Sequence, residues 1–173
     1  MRLTRVCSVF LAFAGMATAA WLVAADPAAD KAAVDRTRQT VKMLDDVYKT
    51  AVVLITEKYV HGENDFPAGS AAIALFDAID KKGWHRVRLL DVTGDPYDSE
   101  NVAKDAFEKK AVEKIKSGES FVEQVEQAGG KQFLRAMTPV PVVMAKCAIC
   151  HPHYKSVAAG KAIGALSYRV PIQ

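Results

Sequence analysis

The sequence predicts one α+β domain, and three observations carry that reading. A long helical stripe opens the chain, strand-like segments fill its second half, and glycine turns separate the elements without repeats or low-complexity tracts. At 173 residues, half of them hydrophobic, the chain can bury a proper core.

The first 25 residues are set aside. Arg2 and Arg5 make a positive start, an apolar run follows from Val9 to Ala25, and Asp26-Pro27 comes next. Val23-Ala24-Ala25 puts small residues at −3 and −1, so residues 1–25 read as a signal peptide cleaved after Ala25, with Ala17-Thr18-Ala19 as a second site. An uncleaved anchor would need about 20 apolar residues, and Gly15 and Thr18 weaken this run. Cys7 lies too early for lipid attachment and leaves with the signal. The mature chain, 26–173, is expected to be periplasmic or otherwise exported, with no membrane attachment after cleavage. Its formal charge falls from +3 to +1, with no basic run, which excludes nucleic acid as an expected partner.

Val34, Thr37, Val41, Leu44, Tyr48, Ala51, Ile55 and Tyr59 recur at steps of three and four, predicting a helix over roughly 31–60. A loop through His61 and Gly62 leads to Phe66-Pro67. Ala71, Ala72, Leu75, Phe76 and Ile79 mark a second helix, ended by Lys81, Lys82 and Gly83. Trp84 to Val92 alternates as a half-buried strand, with His85, Val87 and Leu89 opposite Arg86 and Arg88. After the Gly94-Asp95-Pro96 turn, Asp98 or Ser99 is expected to cap a helix reaching Ser117, with Val102, Ala106, Phe107, Ala111 and Ile115 inward. Phe121–Glu126 and Lys131–Thr138 read as a hairpin about Gly129-Gly130. Pro139 and Pro141 are expected to end that pairing. A last strand runs from Ala162 to Val170.

Two cysteines remain after cleavage, in Cys147-Ala148-Ile149-Cys150-His151. An exported cysteine pair must form a disulfide, bind metal or be modified. A disulfide here would close a very short loop and gain little from chain entropy. A thioredoxin-like pair sits where a strand meets a helix near the start of a βα unit, unlike this one. Zinc held by Cys147, Cys150, His151 and His153 would be cramped. The spacing C-x-x-C-H is instead the signal for covalent attachment of one haem c. Residues i and i+3 share a helical face and can reach two vinyl groups, and His151 follows as the proximal iron ligand. Bacterial thioether formation takes place outside the cytoplasm, in agreement with export.

Beyond that motif the chain resembles the PAS-like haem-c domain family of periplasmic sensor domains and free-standing monohaem proteins. The resemblance rests on Phe66-Pro67-Ala68, Gly83-Trp84 with Arg88, and Gly94-Asp95-Pro96-Tyr97-Asp98 through Glu108. More telling are Phe133-Leu134-Arg135-Ala136-Met137-Thr138-Pro139-Val140 before the cysteines and Gly160–Pro171 after them. It implies a PAS-like antiparallel sheet with flanking helices, the haem seated against it. Pro152 replaces the family's usual glycine. No upstream cysteine is left to serve as the distal ligand it provides in some relatives.

Other distal candidates are His61, which lies close to where relatives carry their distal group, then Met43 and Met137, or water at an open position. Met144 lies too near Cys147 to cross the ring, His153 too near His151, and His85 reads as structural or exposed. Arg135 and Arg169, on neighbouring strands, are candidates for the haem propionates, since guanidinium forks suit carboxylates; the alternative is that both face solvent. The expected function is periplasmic electron transfer by a monohaem c-type cytochrome, with a redox or small-gas sensor as the alternative. Enzymatic activity is not expected, because no positioned distal acid–base is identifiable. Nothing after Gln173 reads as an output domain, so a sensor would report to a separate signalling partner, as an electron carrier would to a redox partner. The oligomeric state is open, a dimer included.

Overall fold

The computed structural model describes residues 27–62, 65–158 and 160–173. The signal peptide expected over 1–25 lies outside the described residues. Helix α1 spans Pro27–Tyr59 and α2 spans Ala68–Asp80. The predicted stripe of α1 faces inward: Thr37, Val41 and Tyr48 are buried, and Tyr48 meets Phe76 of α2 edge to face at 5.1 Å.

Four strands follow the α+β expectation: β1 (Arg86–Asp91), β2 (Val122–Ala128), β3 (Lys131–Pro141) and β4 (Ala162–Pro171). They form one antiparallel sheet in the order β1-β4-β3-β2. Gly129 and Gly130 turn the β2–β3 hairpin, both with positive φ (58° and 73°), which a two-residue primed turn requires and side chains resist.

Strand alternation gives the sheet two covered faces. Leu134, Ala136, Leu166, Tyr168 and Val170 pack with Val41, Tyr48, Ala72 and Phe76 of α1 and α2. Leu90, Met137 and Ala165 pack on the other face with Phe107, Ala111 and Ile115 of α3 (Ala106–Lys116). Polar ties cross each layer. On the α1 side, Asp45 accepts from Thr138 Oγ1 at 2.6 Å and from the Tyr168 hydroxyl at 2.9 Å. Burial holds the Tyr168 hydroxyl in its protonated form far above the usual tyrosine range.

Two expectations need correction. Helix α3 does not begin at Asp98 or Ser99; Asp105 caps it, its carboxylate accepting from the Glu108 N–H at 2.8 Å. Arg88 donates to the carbonyls of Glu100 and Val102, each at 3.1 Å, which holds that stretch in an irregular loop and leaves Val102 and Ala106 exposed. The β2–β3 pairing does end ahead of the prolines, at Met137, as expected, but β3 itself does not stop at Thr138: it pairs with β4 as far as Pro141, through an irregularity at Val140/Pro141. Strand β2 stops opposite Met137, so beyond it β3 has a single partner and can accommodate residues that lack an N–H.

His85, beside β1, is structural as expected: its Nε2 lies 2.8 Å from the Tyr48 hydroxyl. Burial lowers its pKa below the usual histidine value, outweighing the opposing pull of Asp80. On acidification the unfolded chain therefore binds a proton at about pH 6.5 that the folded chain resists, and stability falls as pH drops through that value. Thermal unfolding should show this decline between about pH 7 and 5, with a shallower slope in His85→Gln. An unchanged slope would assign the decline to other groups.

Candidate cofactor site

Where α1, α2 and the ends of β1, β3 and β4 meet, they enclose a cavity of about 600 Å³. Its walls come from successive turns of α1 (Val52, Val53, Thr56), from Val60 just beyond that helix, from the first turns of α2, and from Leu89, Val140 and Leu166 on the α1/α2 face of the sheet. Gly164 forms part of the floor. A Cβ there would stand 3.0 Å from the Leu90 carbonyl oxygen, so glycine lets β1 and β4 approach closely under the cavity.

The cysteine segment closes one side. Helix α4 is the single turn Cys147–Cys150, entered through a turn in which the Cys147 N–H donates to the Met144 carbonyl at 3.2 Å. Lys146 ties it to α1, donating from Nζ to the Glu57 carbonyl at 2.7 Å. Cys147, Cys150 and His151 all line the cavity, and the two thiols are free.

A 3₁₀ turn, Pro152–Ser156, follows at once. It stacks Tyr154 on the His151 ring, with centroids 4.6 Å apart at 14°, while Tyr97 meets the same ring edge to face at 5.5 Å. Burial, then the neighbouring His153, lowers the His151 pKa, against a smaller opposing effect of Asp91; the imidazole is thereby favoured in its neutral, ligating form. Burial raises the Tyr154 hydroxyl to about 12.

The donor set suits an apolar planar cofactor joined through two thioethers and bound by one imidazole. It suits a bare metal ion less well: among the described residues, no three His, Cys, Asp or Glu side chains are gathered to hold one.

The remaining sequence candidates lie elsewhere. His61 is exposed after α1, its backbone N–H donating to Asp65, and is not among the cavity's lining residues. Met43 is 58% exposed on α1, and Met137 is fully buried on the α3 face. Arg135 and Arg169 lie on neighbouring strands, as expected, and are directly paired, but they project from the sheet face opposite the cavity. Arg135 donates to Glu126 and Asp105, each at 2.8 Å, and lies over the Phe107 ring. Arg169 donates to Glu126 at 3.0 Å and stacks on Phe133. Their guanidinium groups are held by carboxylates of this chain, neither facing solvent freely nor reaching the cavity. That placement does not fit the propionate role expected of them.

The sequence model of the Tll0287-like family matches residues 25–171. The chain belongs to the Tll0287-like family. The PAS-like family resemblance read from the sequence is thereby borne out. A crystal structure of the cyanobacterial haem protein Tll0287 superposes with a TM-score of 0.60 at 11% identity, covering 79% of this chain and 95% of that one. At that identity the likeness speaks for the fold, an α+β PAS-like sheet with flanking helices. Among curated proteins no sequence match is found.

In this Tll0287-like chain, Tyr97 and Tyr154 are the site residues that sequence reasoning missed. For Tyr154 a signal existed: it stands three residues after His151, and a 3₁₀ turn superimposes side chains at that spacing. Among the described residues no helix is long and apolar enough to cross a membrane.

Proposed function

We propose that this chain is an exported, periplasmic monohaem c-type cytochrome that works in electron transfer and has no enzymatic activity of its own. The observation that carries the reading is the convergence of Cys147, Cys150 and His151, with both thiols free, on one largely apolar cavity of about 600 Å³. The name of the structurally similar Tll0287 haem protein points the same way.

Cys147 and Cys150 would hold the porphyrin edge and His151 would bind the iron, its ring kept in place by Tyr154 and Tyr97. Bound there, haem supplies an iron that gains and loses one electron. The apolar walls exclude water from it, which is one of the protein's means of setting a potential. Export follows from the signal-like residues 1–25 and from the compartment in which thioethers form. The partner would be a redox protein.

Haem-based ligand sensing is the second reading. It is favoured by one observation: His61, Met43 and Met137 all lie off the cavity. Intact mass of the protein recovered from the periplasm tests the proposal. The expected mass is that of residues 26–173 plus one haem. A mass without haem, or recovery of the uncleaved chain from the cytoplasm, contradicts it.

A further inference from the structure

We infer that Lys49 holds the carboxylate edge of the bound cofactor, its ammonium pairing with a haem propionate. This rests on the haem reading above and fills the role for which Arg135 and Arg169 are misplaced.

A haem joined to Cys147 and Cys150 presents its vinyl edge to those cysteines, and its propionates leave from the opposite edge. Lys49 is placed to meet them. Lys146 ties the cysteine segment to α1 at Glu57, and Lys49 stands eight residues earlier on that helix, about 12 Å along its axis. It therefore lines the end of the cavity remote from the thiols. Its Nζ lies 3.1 Å from Thr138 Oγ1 on β3. Leu166, the cross-strand partner of Thr138, and Val140, the next residue on that face, both line the cavity, so the ammonium borders it.

A carboxylate carried into a largely apolar cavity needs a compensating cation. The other lining lysine, Lys146, adjoins Cys147 at the vinyl edge, and His151 is taken by the iron. Asp91 and Asp98 also line the cavity, and their charges would repel a propionate. Ser70, Ser99 and Asn101 are neutral: they can add a hydrogen bond but no charge, and the last two share the loop of Asp98. Thr56 gives its hydroxyl to the Val52 carbonyl at 2.8 Å, while Tyr97 and Tyr154 pack on the His151 ring.

Lys49 has a donor to spare. An ammonium carries three N–H groups, and this one gives two, to Asp45 at 2.8 Å and to Thr138. Asp45 does not depend on it alone, because that carboxylate also accepts from the Thr138 and Tyr168 hydroxyls. The same bonds fix the ammonium, so a propionate meets a held, charge-assisted donor rather than a mobile surface lysine.

The test uses the exported holoprotein, with the attached group first verified as haem c by its pyridine haemochrome. Lys49→Met is expected to shift the propionate bending band of the resonance Raman spectrum. It should also lower the midpoint potential, because a cation beside the haem favours the ferrous form. Lys49→Gln, which keeps an N–H donor for Asp45, should change both in the same direction with an unaltered far-UV circular dichroism spectrum. Lys49→Arg should bring both back toward the wild-type values, and Lys146→Met should leave the propionate band in place. A band unmoved in Lys49→Met and Lys49→Gln, or moved by Lys146→Met instead, overturns the inference. A failed haemochrome removes the haem reading itself, and the two failures are thereby distinguishable.

Discussion

Glu108→Ala is expected to lower the free energy of unfolding by about 3–5 kcal/mol. Glu108 is 2% exposed at the start of α3 and faces the sheet. Its carboxylate accepts from Arg88, from the Ser167 hydroxyl at 2.9 Å and from the Lys104 N–H at 2.9 Å, with Arg135 at 3.9 Å. Alanine would leave Arg88 without its carboxylate, deprive Arg135 of a nearby negative charge, and strand the Ser167 hydroxyl in an apolar layer. The deficit comes from uncompensated buried charge rather than from lost contact area. Glu100→Ala supplies the contrast: its pair with Lys104 is exposed on both sides, and such pairs contribute about 0–1 kcal/mol. Urea titration of both variants measures the difference. Equal losses would show that the Glu108 cluster is no more than a surface network.

Replacing Cys147 and Cys150 together by alanine is expected to abolish haem that survives a denaturing gel, while far-UV circular dichroism stays the same. The fold should tolerate the change because both side chains are only partly buried and α4 is one turn long. Each single variant should retain a reduced level of attached haem through its remaining thioether. His151→Ala separates attachment from ligation: its haem should stay on the gel while the optical spectrum shifts. Haem that remains gel-bound in the double variant would place the attachment elsewhere.

What could be read in advance divides along physical lines. Helix α1, the Gly129-Gly130 hairpin and the last strand were legible because each is specified by its own residues, through a 3.6-residue stripe, a turn needing positive φ, and a glycine-flanked apolar run. The start of α3 was not. Asp98, Ser99 and Asp105 are all competent caps, and the choice among them depends on Arg88, distant in sequence, binding the carbonyls of Glu100 and Val102. The course of β3 through Pro139 and Pro141 depended on where its neighbour β2 ends.

The site follows the same division. Cys147, Cys150 and His151 reach the cavity together through adjacency in the chain, and their grouping could be read directly. Arg135 and Arg169 were rightly placed on neighbouring strands, but alternation says which residues share a face, not which face meets the cavity. Nothing local to His61, Met43 or Met137 tells how far each lies from a pocket assembled by elements far apart in the chain.

The central claim is that an iron porphyrin is joined to Cys147 and Cys150 and bound by His151. A pyridine haemochrome of the exported protein, taken after acid–acetone extraction, tests it most directly. The expected result is a c-type spectrum that stays with the polypeptide, at one haem per chain. Haem lost to the acetone phase, a b-type spectrum, or no haemochrome at all would contradict it.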